Sequence, residues 1–229
     1  MSTGMGCCMS DEIEAIAALA DPVRRRLYEL VVAADEPVSR EEAAAGVGVP
    51  VHSARFHLDR LVEEGLLDVD YQRRSGRTGP GAGRPAKLYR RSAREVAVSL
   101  PRRNYDLVGS ILAAAVERTL AGGDVAEELG REARQRGLAV GAARERTADP
   151  ALRRTADALA AEGFEPTIEA DQVHLRNCPF DSLARAHTAL VCGVNLDFVC
   201  GVVEGLGCSD VEARLEPEES RCCVVVGAR

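Results

Sequence analysis

Residues 39–91 read SREEAAAGVGVPVHSARFHLDRLVEEGLLDVDYQRRSGRTGPGAGRPAKLYRR. Ser39 followed by Glu42 has the pattern of a capping box, which satisfies two orphan amide donors at a helix start. Gly46 and Gly48 stop that helix, and Pro50 stands where another can begin, since its missing N–H costs nothing there. From Val51 onward, Ala54, Leu58, Leu61 and Val62 recur at helical spacing and turn one face inward. His52, Ser53, Arg55 and Arg60 project from the other side. Gly65 ends the helix, and Leu66, Leu67, Val69 and Tyr71 lead into a strand. Two short helices followed by a hairpin describe a winged helix-turn-helix, with the second helix as the reader of a DNA major groove.

The hairpin tip carries the same message. Between Tyr71 and Arg94 there are eight basic residues and no acidic one. Gly76, Gly79, Pro80, Gly81 and Gly83 keep that tip from packing on itself, and Gly-Arg-Pro at 83–85 is an extended segment suited to laying Arg84 into a minor groove. The alternative is a solvated basic loop. In the DNA-binding reading His52, Ser53 and Arg55 meet base edges, with Arg55 on guanine the favoured pairing. Arg60, Arg73, Arg74, Arg84 and Lys87 then serve the phosphates.

At 229 residues the chain is long enough for two modest domains. Hydrophobic residues at 46% and charged residues at 28% describe an ordinary globular protein, with no apolar run of membrane-span length. The opening MSTGMGCCMSDEIE has neither a basic nor an apolar leader region, so a cytoplasmic, reducing location is expected. Eight cysteines in that setting point to metal ligands or redox thiols before disulfides. The net charge of −7 is unevenly spread: residues 1–103 hold 16 Lys/Arg against 15 Asp/Glu, and residues 104–229 hold 13 against 21. Positive charge is thus local to the wing, and only that face should dock on DNA.

The expected fold class is α+β, in four stretches: a disordered tail at 1–10, the winged helix-turn-helix at 11–97, a helical linker at 98–147, and a cysteine-rich α+β domain at 148–229. Helices are predicted over 11–19 and 22–34, the second capped by Asp21 with Pro22 in its first position. Leu107, Val108, Ile111, Leu112, Ala115, Val116 and Leu120 form a broad apolar stripe between Asn104 and Gly122, which needs a partner. A homodimer on a two-fold operator would supply one, and packing within the chain is the alternative. Asp124 to Arg146 reads as a charged helix broken or kinked at Gly137 and Gly141, followed by a helix from Asp149–Pro150 to Glu162. Alternation around Glu169-Ala170-Asp171-Gln172 predicts a hairpin. The remainder reads as a mostly helical stretch over 179–206 and two strands, 211–215 and 222–226.

Six of the eight cysteines fall in the last 52 residues, without a CxxC or HxxxH pair. Cys178, Cys192, Cys208 and Cys222 lie at or near element termini, with 13, 15 and 13 residues between them, so tertiary folding must assemble any shared site. Four thiolates around an iron–sulfur cluster suit such a set, since sulfur donors favour soft metals. Cys200 reads as a small buried hydrophobe, and of Cys222 and Cys223 only one can face a shared site.

GRPAKLYR in the wing, then NCPF, LVCGVNLDFVCGVVEGLGC and the terminal RCCVVV, resemble actinobacterial regulators of the SufR type, winged-helix ArsR/DeoR-like repressors. The resemblance runs over nearly the whole chain. It implies a homodimeric repressor whose DNA binding depends on an iron–sulfur cluster, of the 4Fe–4S type, held here by Cys178, Cys192, Cys208 and Cys222. Other readings keep the DNA-binding domain and replace the cluster by zinc, a thiol redox switch or a small apolar ligand. A thiol enzyme is a further one, with His174 activating Cys178 from the same side of a strand, but no oxyanion loop or carboxylate constellation completes it.

Overall fold

The computed structural model describes residues 6–72, 85–218 and 221–229, which fall into two compact units, residues 1–98 and 99–229. The first contains α1 (Gly6–Ala18), α2 (Pro22–Ala33), β1 (Val38–Ser39), α3 (Arg40–Val47), α4 (Val51–Glu63), β2 (Leu67–Gln72) and β3 (Ala86–Arg91). Asp21 caps α2 by accepting from the Val23 and Arg24 amides at 2.9 Å. The capping box forms as the spacing predicts: Ser39 N–H donates to Glu42 Oε2 at 2.9 Å, and Glu42 N–H donates to Ser39 Oγ at 3.2 Å. Gly48, at φ +75°, closes α3 in the left-handed conformation that an L side chain resists. Ala54, Leu58 and Leu61 are fully buried, so α4 packs on the face its periodicity marks out.

Two features differ from the sequence expectation. Residues 6–10, assigned to a tail, belong to α1, while residues 1–5 lie outside the described residues. The helix docks through Ala15 and Ala18, small residues that carry little periodic signal but bury completely or nearly so. The sheet also has a third strand: the short β1 pairs with β3 through Val38↔Tyr89 and Ser39↔Leu88, giving the order β1-β3-β2.

The second unit contains α5 (Tyr105–Leu120), α6 (Val125–Ala142), α7 (Ala151–Ala161), β4 (Pro166–Glu169), β5 (Gln172–Leu175), α8 (Asp181–Ala186), α9 (Thr188–Gly205), β6 (Val211–Leu215) and β7 (Val224–Ala228). Its four strands are antiparallel in the order β4-β5-β7-β6. The β4–β5 hairpin turns where the sequence places it, with Ala170 and Asp171 both at positive φ. Phe164, Phe180 and Phe198 meet at the centre of this core. Residues 98–147 do not form a separate linker body. Val108, Ile111 and Ala115 of α5, with Leu129 and Ala133 of α6, are buried in the same core as the sheet.

Continuity of α6 is the larger departure. Gly137 and Gly141 do not break it, because they are where it lies on α9. A Cβ on Gly137 would fall on the Phe198 carbonyl oxygen, and one on Gly141 on that of Val202. Reciprocally, a Cβ on Gly201 would strike the Arg134 carbonyl and one on Gly205 that of Leu138. Contacts advance together along both helices, so α6 and α9 run parallel and touch backbone to backbone. Among the described helices α9, 18 residues long, is apolar enough to cross a membrane by composition. Here Val194, Phe198, Val199 and Val202 are buried in the core of its own unit.

Gly193, also on α9, faces open space. Gly193→Ala should therefore leave stability unchanged or raise it by up to about 1 kcal/mol through helix propensity. Gly137→Ala and Gly201→Ala should each cost about 1–3 kcal/mol or more by forcing the helices apart. Urea unfolding of the three variants checks this, and equal effects at all three positions would refute the contact.

Candidate nucleic-acid interface and thiol cluster

The outward face of α4 carries His52, Arg55, Phe56 and Arg60, all exposed, with Ser53 half-buried beside them. With Arg24 of α2, Asp59 and Glu63 they line a notch of about 670 Å³. Phe56 is 67% exposed, a large apolar ring with no packing reason to face water. Sequence reasoning passed over it. The signal was available, since Phe56 lies off the Ala54–Leu58–Leu61 stripe and beside Arg55.

Asp59 ties this helix to the wing. Its carboxylate accepts from Lys87 Nζ at 2.5 Å and from Tyr89 Oη at 2.9 Å, and Arg55 Nε lies 3.5 Å away. Burial would raise the Asp59 carboxyl, but the bonds from Lys87 and Tyr89 outweigh it and hold the group below its ordinary value. Burial and the same bond push the Tyr89 phenol well up. Lys87, expected on phosphate, is thus engaged within the fold. Arg55 keeps a side chain 64% exposed and free to turn outward. Arg60 pairs with Glu63 and Glu64 on its own helix. Arg73, Arg74 and Arg84 lie outside the described residues.

The expected cysteine set is divided. Cys178 and Cys222 are hydrogen-bonding neighbours, and Cys222 in turn bonds to Cys223. Asn195 of α9, only 1% exposed, donates from Nδ2 to Cys222 Sγ at 3.1 Å, and its Oδ1 has no partner. Cys222 precedes β7 rather than opening the strand, and its amide donates to the Leu175 carbonyl at 2.9 Å, at the end of β5. The bond to Cys222, then burial, pushes the Cys178 thiol well up. For Cys222 the bond from Cys178 acts downward, but its bond to Cys223 and burial outweigh that and leave it pushed up to about 11.

Cys192 is half-buried one turn before Asn195. Cys208 is elsewhere: it follows the C-terminal end of α9 and lines a cavity with Cys200. Helical rise alone separates Cys192 from Gly205 by about 20 Å, which no single cluster spans. Four thiolates from Cys178, Cys192, Cys208 and Cys222 do not converge, and among the described residues no three His, Cys, Asp or Glu side chains form a ready metal centre. Nor is there a Cys/His dyad: Cys178 lies beyond β5, and His174 Nδ1 meets the Arg221 guanidinium instead.

Residues 19–70 match the family model of a helix-turn-helix domain of ArsR type. That module binds DNA. The match spans α2, β1, α3, α4 and most of β2, so the chain has a winged-helix DNA-binding domain of the kind found in transcription regulators. No curated protein and no solved structure matches the chain.

Asp59 supplies a pH test of the tie between α4 and the wing. A carboxylate with a depressed folded pKa adds stability above its unfolded value of about 3.9, and loses it as pH falls through the lower folded value. Circular-dichroism melts should show Asp59→Asn starting less stable than wild type at neutral pH, with the gap closing below about pH 4. A gap unchanged by acid would mean that the ion pair is not what the substitution removes.

Proposed function

We propose that the protein is a sequence-specific, homodimeric transcriptional repressor of cytoplasmic DNA, read through α4 and controlled by thiols of its second unit. The exposed Arg55–Phe56 pair on a helix-turn-helix reading face carries this. A guanidinium suits the O6/N7 edge of guanine and an exposed aromatic ring suits a thymine methyl, so neighbouring bases of different type can be read together. His52 and Ser53 stand at the N-terminal end of the same face. Arg60, Arg73, Arg74 and Arg84 serve the phosphates, and Lys87 acts by holding the wing to α4. For the dimer, α5 offers Tyr105, Val116 and Leu120, which are exposed at spacings that share one helical face. Of the stripe expected to dimerise, Val116 and Leu120 are left for a second copy, while Leu107, Val108, Ile111, Leu112 and Ala115 are buried in or packed on the core of their own chain.

Cys178, Cys222 and Cys223 are the sensing thiols in this reading. The four-thiolate iron–sulfur set that includes Cys208 does not fit the arrangement, because α9 holds Cys208 at the opposite end from Cys192. An iron–sulfur cluster or zinc at the Cys178 end would have to draw on Cys192 or Cys223. Anaerobic purification with iron, sulfide and zinc analysis separates these possibilities. Metal lost in Cys178→Ser and kept in Cys208→Ser places it at the N-terminal end of α9, whereas loss in both restores the four-thiolate set. No metal in any sample leaves the thiols themselves as the sensor.

Operator selection from a random duplex pool, followed by fluorescence anisotropy on the full chain, tests the DNA reading. Arg55→Ala should cost about 1–3 kcal/mol at one guanine position. Phe56→Ala should relax a neighbouring thymine, and neither should flatten the salt dependence. If both variants bind all sequences less tightly by one common factor, α4 is not the reader.

A further inference from the structure

A second cavity, of about 430 Å³, opens beside Cys178 within the second unit. Arg103, Arg176, Arg185 and Arg221 line it, against the single carboxylate of Asp181 among the described residues. Three of these four guanidinium groups come from residues 104–229, which hold only 13 Lys/Arg against 21 Asp/Glu, so their gathering at one cavity is out of character for this part of the chain. Their charge is only partly met from within. Arg103 and Arg185 share Asp181, at 3.7 and 3.1 Å. Arg176 and Arg221 pair with Glu169 and Glu218, carboxylates that are 59% and 61% exposed, do not line the cavity and bind weakly in water. The Arg221 Nε is buried with no hydrogen-bond partner among the described residues.

We propose that this cavity is a binding site for a small oxyanion, a phosphate- or carboxylate-bearing molecule, and that Arg103 transmits its occupancy to the segment leading from the DNA-binding unit. Planar guanidinium forks match such oxygens in pairs, and the volume suits a small ligand. Arg103 is the connecting residue because the same guanidinium already holds the cysteine segment. It donates to Asn177 Oδ1 and to the Cys178 carbonyl, the latter at 3.0 Å. Asn177, only 5% exposed, returns a bond from Nδ2 to the Arg102 carbonyl at 2.8 Å. Asn104 N–H donates to the Pro179 carbonyl at 3.1 Å. Residues 102–104, a few positions past the boundary between the units, are thereby stitched to Asn177-Cys178-Pro179. An oxyanion that takes up Arg103 competes with Asp181 and Asn177 for it and loosens the stitch. The effect on DNA rests on the regulator reading above; binding of the anion does not.

Isothermal titration calorimetry of the reduced full chain at low chloride, with inorganic phosphate, pyrophosphate and citrate as probes, tests the site. At least one probe should bind saturably at one site per chain, and preference between pyrophosphate and citrate tells a phosphate ligand from a carboxylate one. Arg176→Gln/Arg185→Gln, both at exposed side chains, should weaken that binding about tenfold or more without moving the thermal midpoint measured in the absence of anion. No saturable heat from any probe, or binding unaltered in the double variant, overturns the site. The best probe should also shift operator affinity in wild type and not in Arg103→Gln. Saturable binding with unchanged operator affinity overturns the role of Arg103. Absence of operator binding even without anion would count against the repressor reading and leave the calorimetric result standing.

Discussion

The second unit depends on two helices approaching closer than side chains permit. Glycines at 137 and 141 on α6, and at 201 and 205 on α9, strip the facing surfaces to backbone. The gain is dense dispersion contact and close Cα–H to carbonyl approach over several turns. With α6 against one side, α9 turns Phe198, Val199 and Val202 into the core that the sheet and α7 complete. α9 is one continuous helix of 18 residues, and what is attached to its two ends stays apart. That single constraint divides the cysteines: Asn195 reaches Cys222 from the middle of α9, while Cys208 lies beyond its C-terminal end.

The first unit is organised by a polar interaction instead. Asp59 receives Lys87 and Tyr89 and lies 3.5 Å from Arg55, so one partly buried carboxylate holds strand β3 against α4. Removing either partner alone leaves a charge or a phenol without its match, which is why such a node stiffens the angle between helix and wing. The outer face of α4 is thus presented by a buried apolar stripe beneath it and a charged tie beside it.

The second unit opens on a short segment tied down by several hydrogen bonds. Asn177 and the residues around it exchange bonds with residues 102–104, so the loop that carries the Cys178 thiol is also the loop that anchors the start of the second unit.

Much of the first unit was legible because its signals are local. A capping box, a left-handed glycine, a proline at a helix start and a helical stripe each act within a few residues of chain, and α2, α3 and α4 followed from them, as the 169–172 turn of the second unit followed from alternation on either side of it. The exposed cations of α4 were legible for the same reason, although Phe56 was overlooked. What only the tertiary structure decided involves partners distant in sequence. Gly137 and Gly141 read as breaks because propensity counts the entropy a glycine loses, whereas packing on α9 rewards the missing side chain. Lys87 read as a phosphate ligand because nothing near it in the chain is acidic, yet Asp59 lies 28 residues away and opposite. Even spacing suggested that four cysteines converge, but a rigid helix between the second and third sends them to opposite ends. Chain separation measures how far two residues can be brought together, and the packing of the elements between them determines whether they are.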